Sequence, residues 1–222
     1  MTAARATPTR TRAVGDAGKE QRREAILAAA KRVFAKKGFH ATTIADVAKA
    51  AKISYGSIYW YFESKDALFH GLMDSEELAL RSHIDAAMGA LPSGAGGEEI
   101  FRVGVQATFD FFEADRDAVK LLFRDALVLD GPFDRHLAGI YEGFIGDIEA
   151  TIESAQKSGH VIRAPARMVA FSVAALVSQL ALRRLETDDG VPTSVVADFV
   201  VTLLLDGLRP RKEKSKGRKT TR

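Results

Sequence analysis

Apolar residues recur every three to four positions along almost the whole chain, and no stretch alternates with period two between hairpin turns. That pattern restricts the fold to helix packed on helix, an all-α protein of about nine helices. The 222 residues, 46% of them hydrophobic, suffice for one large or two small domains. None is cysteine, which excludes disulfide scaffolds, cysteine nucleophiles and thiolate metal sites. The longest apolar run, Met168 to Leu182, covers 15 residues and is interrupted by Ser172, Ser178 and Gln179. It falls short of the roughly 20 residues that span a bilayer. The N-terminus lacks the apolar core of a secretory signal, although its Arg-rich opening loosely resembles a transit peptide. The expectation is a cytoplasmic protein without membrane contact.

Charge is segregated. Residues 1–70 hold 13 basic and 6 acidic side chains, residues 71–208 hold 11 and 22, and residues 209–222 hold 8 and 1. A basic N-terminal part fused to an acidic body fits a chain that meets a polyanion with its N-terminal part alone, and fits equally a chain with merely solvated charged faces. A motif has to decide between them.

Four organisational blocks follow. Residues 1–18 have little to bury and read as a disordered basic arm. Residues 19–70 contain a first helix from about Lys19 to Lys37, striped by Ile26, Leu27, Ala30, Val33 and Phe34 and stopped by Gly38. A second helix follows from Thr43 to Ala50, a third from Tyr55 to Tyr61, and a fourth starts at Lys65 behind Ser64. Residues 71–208 form the body, in which the segment Gly89 to Gly97 breaks the fourth helix. Helices are expected there near Glu98–Ala114, Asp117–Leu129, Pro132–Ser158, Pro165–Glu186 and Pro192–Leu208, with Asp130, Gly131, Asp188 and Asp189 in the loops. Residues 209–222 are a basic disordered tail.

The 20 residues from Thr43 to Phe62 divide into helix, short turn and helix, the spacing of a helix-turn-helix. Thr43 with Asp46 three residues on makes an Asp version of the capping box, and Ser54 caps the third helix. At 100° per residue Ile58 and Phe62 share the core face, leaving Gly56 and Trp60 nearly opposite with Ser57 and Tyr59 at the flanks. Tyr59 and Trp60 either pack on the fourth helix or form a binding face. Gly56, at about 1 kcal/mol relative to Ala inside a helix, argues for the close approach of something there.

The stretch from Ser54 to Leu68, SYGSIYWYFESKDAL, preceded by TTIADVAKAAKIS, resembles the signature of the TetR family of bacterial transcriptional regulators. The matching positions are Thr42, Thr43, Ile44, Ala48, Ser54, Gly56, Tyr59, Phe62, Ser64, Lys65 and Leu68. The resemblance implies a three-helix DNA-binding domain joined to a larger helical domain that binds ligand and dimerises. It places Tyr55, Gly56 and Ser57 at base edges in the major groove, Tyr59 and Trp60 at sugar and phosphate, and Thr43 and Lys65 at phosphates. Ser54 and Lys52 complete the expected DNA contacts. Lys52 stands where the family usually has Gly, at a cost of about 1 kcal/mol if left-handed, and Tyr55 stands where many members have Lys.

In the body, the run from Pro165 is apolar nearly all round and calls for burial on all sides. Together with the last helix it suits a homodimer interface through residues 165–186 and 192–208, or burial within one monomer. The glycines at 139, 143 and 146 bare one face of the helix from Pro132, either for a crossing helix or for a ligand. A small lipophilic effector would lie among Phe109, Phe112, Phe123, Gly143 and Phe144, oriented by Gln106, Arg124 or Gln179. No cofactor, catalytic residue or metal is expected. GAGG at Gly94–Gly97 follows no strand and lacks the lysine of a phosphate loop, and no serine sits in a GxSxG elbow. The histidines lack metal spacing apart from His136 with Asp134 or Glu142. The expected function is a ligand-responsive repressor bound as a homodimer to a palindromic double-stranded DNA operator, not an enzyme. The rival is a helical small-molecule-binding or enzymatic protein whose N-terminal helices only pack.

Overall fold

The computed structural model of the protein describes residues 9–125, 132–159, 161–187 and 190–208. Among these residues it is all-α, without a strand: α1 (Thr9–Lys37), α2 (Ile44–Ala51), α3 (Tyr55–Ile58), α4 (Lys65–Gly89), α5 (Gly97–Ala114), α6 (Arg116–Val119), a π-helical turn (Lys120–Asp125), α7 (Pro132–Lys157), α8 (Ala166–Glu186) and α9 (Thr193–Leu208). Expectations for the arm at 1–8, the helix end at 126–129, the loop residues Asp130, Gly131, Asp188 and Asp189, the tail at 209–222 and the Arg124 side chain lie outside the described residues.

Three boundaries differ from the sequence reading. Helix α1 starts at Thr9, so residues 9–18 are helical where a disordered arm is expected. Arg10, Arg12, Ala13 and Ala17, good helix formers, extend a helix already nucleated further on. Helix α3 keeps α geometry only to Ile58, with Tyr59–Tyr61 in a turn whose end is held by the Phe62 N–H donating to Ile58 O at 3.0 Å. The expected helix at Asp117–Leu129 is instead one turn of α6 that widens into the π-helical turn, where the spacing of bonds changes from i→i+4 to i→i+5.

The chain divides into two units, and the division is not at residue 70. The first runs to Arg81 and takes in Asp115–Leu137; the second comprises Ser82–Ala114 and the chain from Ala138 onward. In the first unit Ile26, Ala30 and Phe34 of α1 are buried with Ile44, Val47 and Ala48 of α2, Ile58, Phe62, Leu68 and Phe69. Phe34, Phe39 and Phe69 meet with ring centroids 5.0–5.8 Å apart. Gly38, at φ +79°, ends α1 as expected, its N–H donating to Phe34 O at 2.7 Å. Helix α6 and the π-helical turn pack on α1, which is why residues 115–137 join this unit.

The contact that fixes α6 is ionic. Lys31 of α1 donates to Glu76 of α4 at 2.7 Å and to Asp115, whose other carboxylate oxygen caps α6 at the Ala118 N–H (3.1 Å). Glu76 is only 5% exposed, and burial holds its carboxyl above the ordinary carboxylate value despite Lys31. Burial alone would lower Lys31, but its bonds to Asp115 and Glu76 keep it above 10.5.

In the second unit α9 lies along α5, and α8 touches both. Val105, Phe109, Phe112, Ala170, Val173, Ala181, Ala197, Val200 and Val201 form the core. Arg167 of α8 bonds Glu142 and Glu149 of α7, the latter at 3.0 Å, and Gln156 donates to Ile162 O and Ala164 O at 3.0 and 2.7 Å. Length and hydropathy alone would let α8 cross a bilayer, yet it packs within this unit on one side.

Removing one member of a buried ionic cluster strands the others. Lys31→Met is expected to lower stability by roughly 3 kcal/mol in denaturant titration, and Lys31→Met with Glu76→Met to recover most of it. Because the folded pKa of Lys31 is raised, its contribution is complete below its unfolded value and is lost as pH climbs through the folded one. The wild-type melting temperature should therefore fall more steeply above about pH 10.5 than that of the double variant.

Candidate nucleic-acid interface

Helix α2 starts on the expected capping box: the Asp46 N–H donates to Thr43 Oγ1 at 3.2 Å and the Thr43 N–H donates to Asp46 Oδ2 at 3.0 Å. Lys37 reaches the other Asp46 oxygen at 2.7 Å. That bond first, and then the Thr43 N–H and hydroxyl, hold the Asp46 carboxyl down at about 2. An acid beside a prospective polyanion is thus neutralised locally. At the far end, Lys52 adopts φ 56° and ψ 41°, the only left-handed non-glycine among the described residues. Its N–H donates to Lys49 O at 3.3 Å and that of Ile53 to Ala48 O at 3.1 Å, the paired bonds of a Schellman turn. The turn carries a cation at a left-handed position, at the cost of about 1 kcal/mol relative to glycine.

Ser54 caps α3, accepting the Ser57 N–H at 3.2 Å, with the two hydroxyls 2.6 Å apart. Ile58 and Phe62 face the core, which leaves Tyr55, Tyr59 and Trp60 outside at 54%, 44% and 83% exposure. Tyr59 and Trp60 therefore do not pack away on α4. The two phenols share a hydrogen bond of 2.8 Å with ring centroids 5.3 Å apart, and that bond pushes the Tyr59 phenol above its ordinary value. A Cβ on Gly56 would meet nothing within 4 Å. Among the described residues nothing crowds the position.

Lys65, expected at a phosphate, has a different occupation. Its ammonium donates to Phe39 O and Thr42 O at 3.0 Å each and to His40 O at 3.5 Å, and lies 4.3 Å from the Phe39 ring centre. An ammonium has three hydrogens, and all three have acceptors in the loop between α1 and α2. Ser64 caps α4 as expected, accepting the Ala67 N–H at 3.0 Å. Lys65 thus holds the approach to Thr43 in place.

The residues expected around a ligand are divided between the two units. Phe109 and Phe112 are buried in the second unit's core. Gln106 donates to Asp110 and Thr193 at 2.8 and 3.2 Å, joining α5 to α9, and Gln179 is exposed on α8. Gly143 and Phe144 are half-buried on α7, while Phe123 and the backbone of Arg124 belong to the π-helical turn of the first unit. Space is open over Gly139 and Gly146, and no helix among the described residues crosses there. His136 turns to Asp74, Nε2 to Oδ1 2.9 Å but not aligned as a hydrogen bond, with the His70 ring 4.5 Å away. Among the described residues no three His, Asp or Glu side chains are placed to hold a metal. Sequence reasoning missed Lys31, Glu76 and Asp115, whose only advance signal is a Glu on the apolar face of α4.

Residues 26–72 match the sequence profile of the bacterial regulatory proteins of the tetR family. The chain spans 52%, 69% and 50% of the lengths of the first three curated relatives it matches. It is 26% identical over 197 residues to the HTH-type transcriptional repressor KstR2 of Rhodococcus jostii, covering 86% of this chain and 93% of that one. The transcriptional regulator FadR of Bacillus subtilis, solved with stearoyl-CoA, shares the fold over 84% of this chain and 99% of its own, with TM-score 0.75 and 16% identity. AibR, solved with isovaleryl coenzyme A and operator DNA, does so over 83% and 98%, with TM-score 0.67 and 18% identity. Residues 26–72 thus carry the helix-turn-helix of the tetR family of bacterial regulatory proteins, and the chain shares the fold of these solved regulators over most of its length.

Proposed function

We propose that the protein is a ligand-responsive repressor that binds a palindromic DNA operator as a homodimer and is released by a small lipophilic effector. The exposed face of α3 carries this reading: Tyr55, Tyr59 and Trp60 stand clear of the core around the open space over Gly56. Without a side chain at Gly56, a base edge or backbone approaches closely, and Tyr55 and Ser57 supply hydroxyls to bases. Tyr59 and Trp60 serve sugar and phosphate, with Thr43, Ser54 and Lys52 flanking them. Lys65 acts through the loop it holds.

Dimerisation is supported by apolar side chains that stay exposed in the single chain. Met168 and Phe171 of α8 are 66% and 54% exposed; Val195, Phe199 and Leu203, four residues apart on α9, are 53%, 59% and 52% exposed. Stripes of this kind on two adjoining helices suit a second copy. The acyl-coenzyme A complexes of FadR and AibR support a lipophilic acyl effector, and the operator complex of AibR supports DNA as the partner. A DNA-binding regulator of this kind works in the cytoplasm.

Selection of bound sequences from a random duplex pool, with and without long-chain and short-chain acyl-coenzyme A, tests the reading. Recovery of a palindrome that is released by an acyl ligand is the expected result; no enrichment at low salt would favour the small-molecule protein instead. Tyr59→Ala is expected to weaken operator binding ten- to hundredfold, matching roughly 1.5–3 kcal/mol for a hydrogen bond to a charged group, with the melting temperature unchanged. Lys65→Met should lower affinity and melting temperature together, since it removes the ammonium that joins Phe39 O and Thr42 O. Phe199→Glu should convert the dimer to monomers in sedimentation velocity while the helical content stays constant.

A further inference from the structure

An open groove of about 420 Å3 lies beside the reading face, lined by Lys19 and Arg22 of α1 and by Ser57, Trp60 and Tyr61. Lys19 and Arg22 are three residues apart and so share one face of the helix. Both are exposed, and neither has a carboxylate partner among the described residues. Arg23, Lys31 and Lys37 of α1 are committed elsewhere, Arg23 to Glu20 at 3.5 Å and to the Phe62 ring, Lys31 to Glu76, and Lys37 to Asp46. No acidic residue lines the groove.

The chemistry of the lining selects an occupant. An ammonium, a guanidinium and an indole N–H only donate, and the two hydroxyls at Ser57 and Tyr61 also donate. A group made of acceptors alone satisfies all of them, and a phosphodiester is such a group. Trp60 adds a flat apolar face, 83% exposed, against which a sugar edge packs. Ser57 belongs both to this groove and to α3, so whatever fills the groove runs on from whatever faces α3.

We propose that the groove takes the sugar-phosphate backbone of the DNA strand flanking the bases that face α3, so that α1 grips the duplex outside the helix-turn-helix. This rests on the DNA-binding reading above and adds Lys19, Arg22 and Tyr61 to it. Contacts made by donors to phosphates carry no base information, so the grip acts equally on operator and on unrelated duplex.

The test uses the full-length protein, the selected operator and a scrambled duplex of equal length, with affinity measured across a salt series. Trp60 is the sole tryptophan, so emission reports directly on the groove. Both duplexes should change the emission of the wild type. Lys19→Gln with Arg22→Gln should make the dependence of log affinity on log salt shallower by about 0.9 for each lost contact, on both duplexes alike. The charge-keeping pair Lys19→Arg with Arg22→Lys should restore the wild-type slope, and unchanged thermal melting shows that the exposed substitutions leave the fold intact. Duplex binding with an unchanged slope overturns the groove whatever the emission does and leaves the reading of α3 standing. A loss confined to the operator at constant slope also overturns it, because the groove would then read bases. Absence of duplex binding by the wild type overturns both proposals.

Discussion

The Lys31 ammonium is the point on which the first unit turns. It joins segments 45 and 84 residues away along the chain, Glu76 on α4 and the Asp115 cap of α6, to the first helix. A carboxylate as enclosed as Glu76 is unfavourable alone, and a cation held by two acids is favourable only where both arrive. The cluster therefore specifies an arrangement more than it adds stability. It explains why a short helix and a π-helical turn that follow α5 in the sequence belong with the N-terminal helices in space.

Local structure was legible in the sequence because its causes lie within one helical turn. The Thr43–Asp46 box, the Ser54 and Ser64 caps, the left-handed Gly38 and the buried spacing of Ile58 and Phe62 each involve residues no more than four apart. Unit membership was not legible, since it depends on a pairing across 84 residues, and a division by charge at residue 70 cannot detect one. The π-helical turn gives no periodic signal in six residues. Helicity before Lys19 escaped for the opposite reason: polar residues extend a helix without marking a face.

The candidate site shows the same division. The face of α3 followed from angular spacing alone, because a short helix on a buried Ile58 has its outward residues fixed by geometry. Lys65 did not follow. Its position at a helix start suggests an anion, whereas its four-carbon stem reaches back to the carbonyls of the loop between α1 and α2 and to the Phe39 ring. The ligand set rested on aromatic residues at helical spacing, which mark a core as readily as a pocket, and Phe109 and Phe112 are buried in the second unit.

The left-handed Lys52 separates two demands that usually coincide. A glycine at that φ would relax the turn in the free protein and in any complex alike, so backbone strain there has no influence on how tightly a partner is held. The cation carried at the same position acts only when a polyanion is near. On the proposed DNA-binding reading, a firmer fold and a firmer grip therefore call for different residues at position 52, glycine for the turn and lysine for the charge.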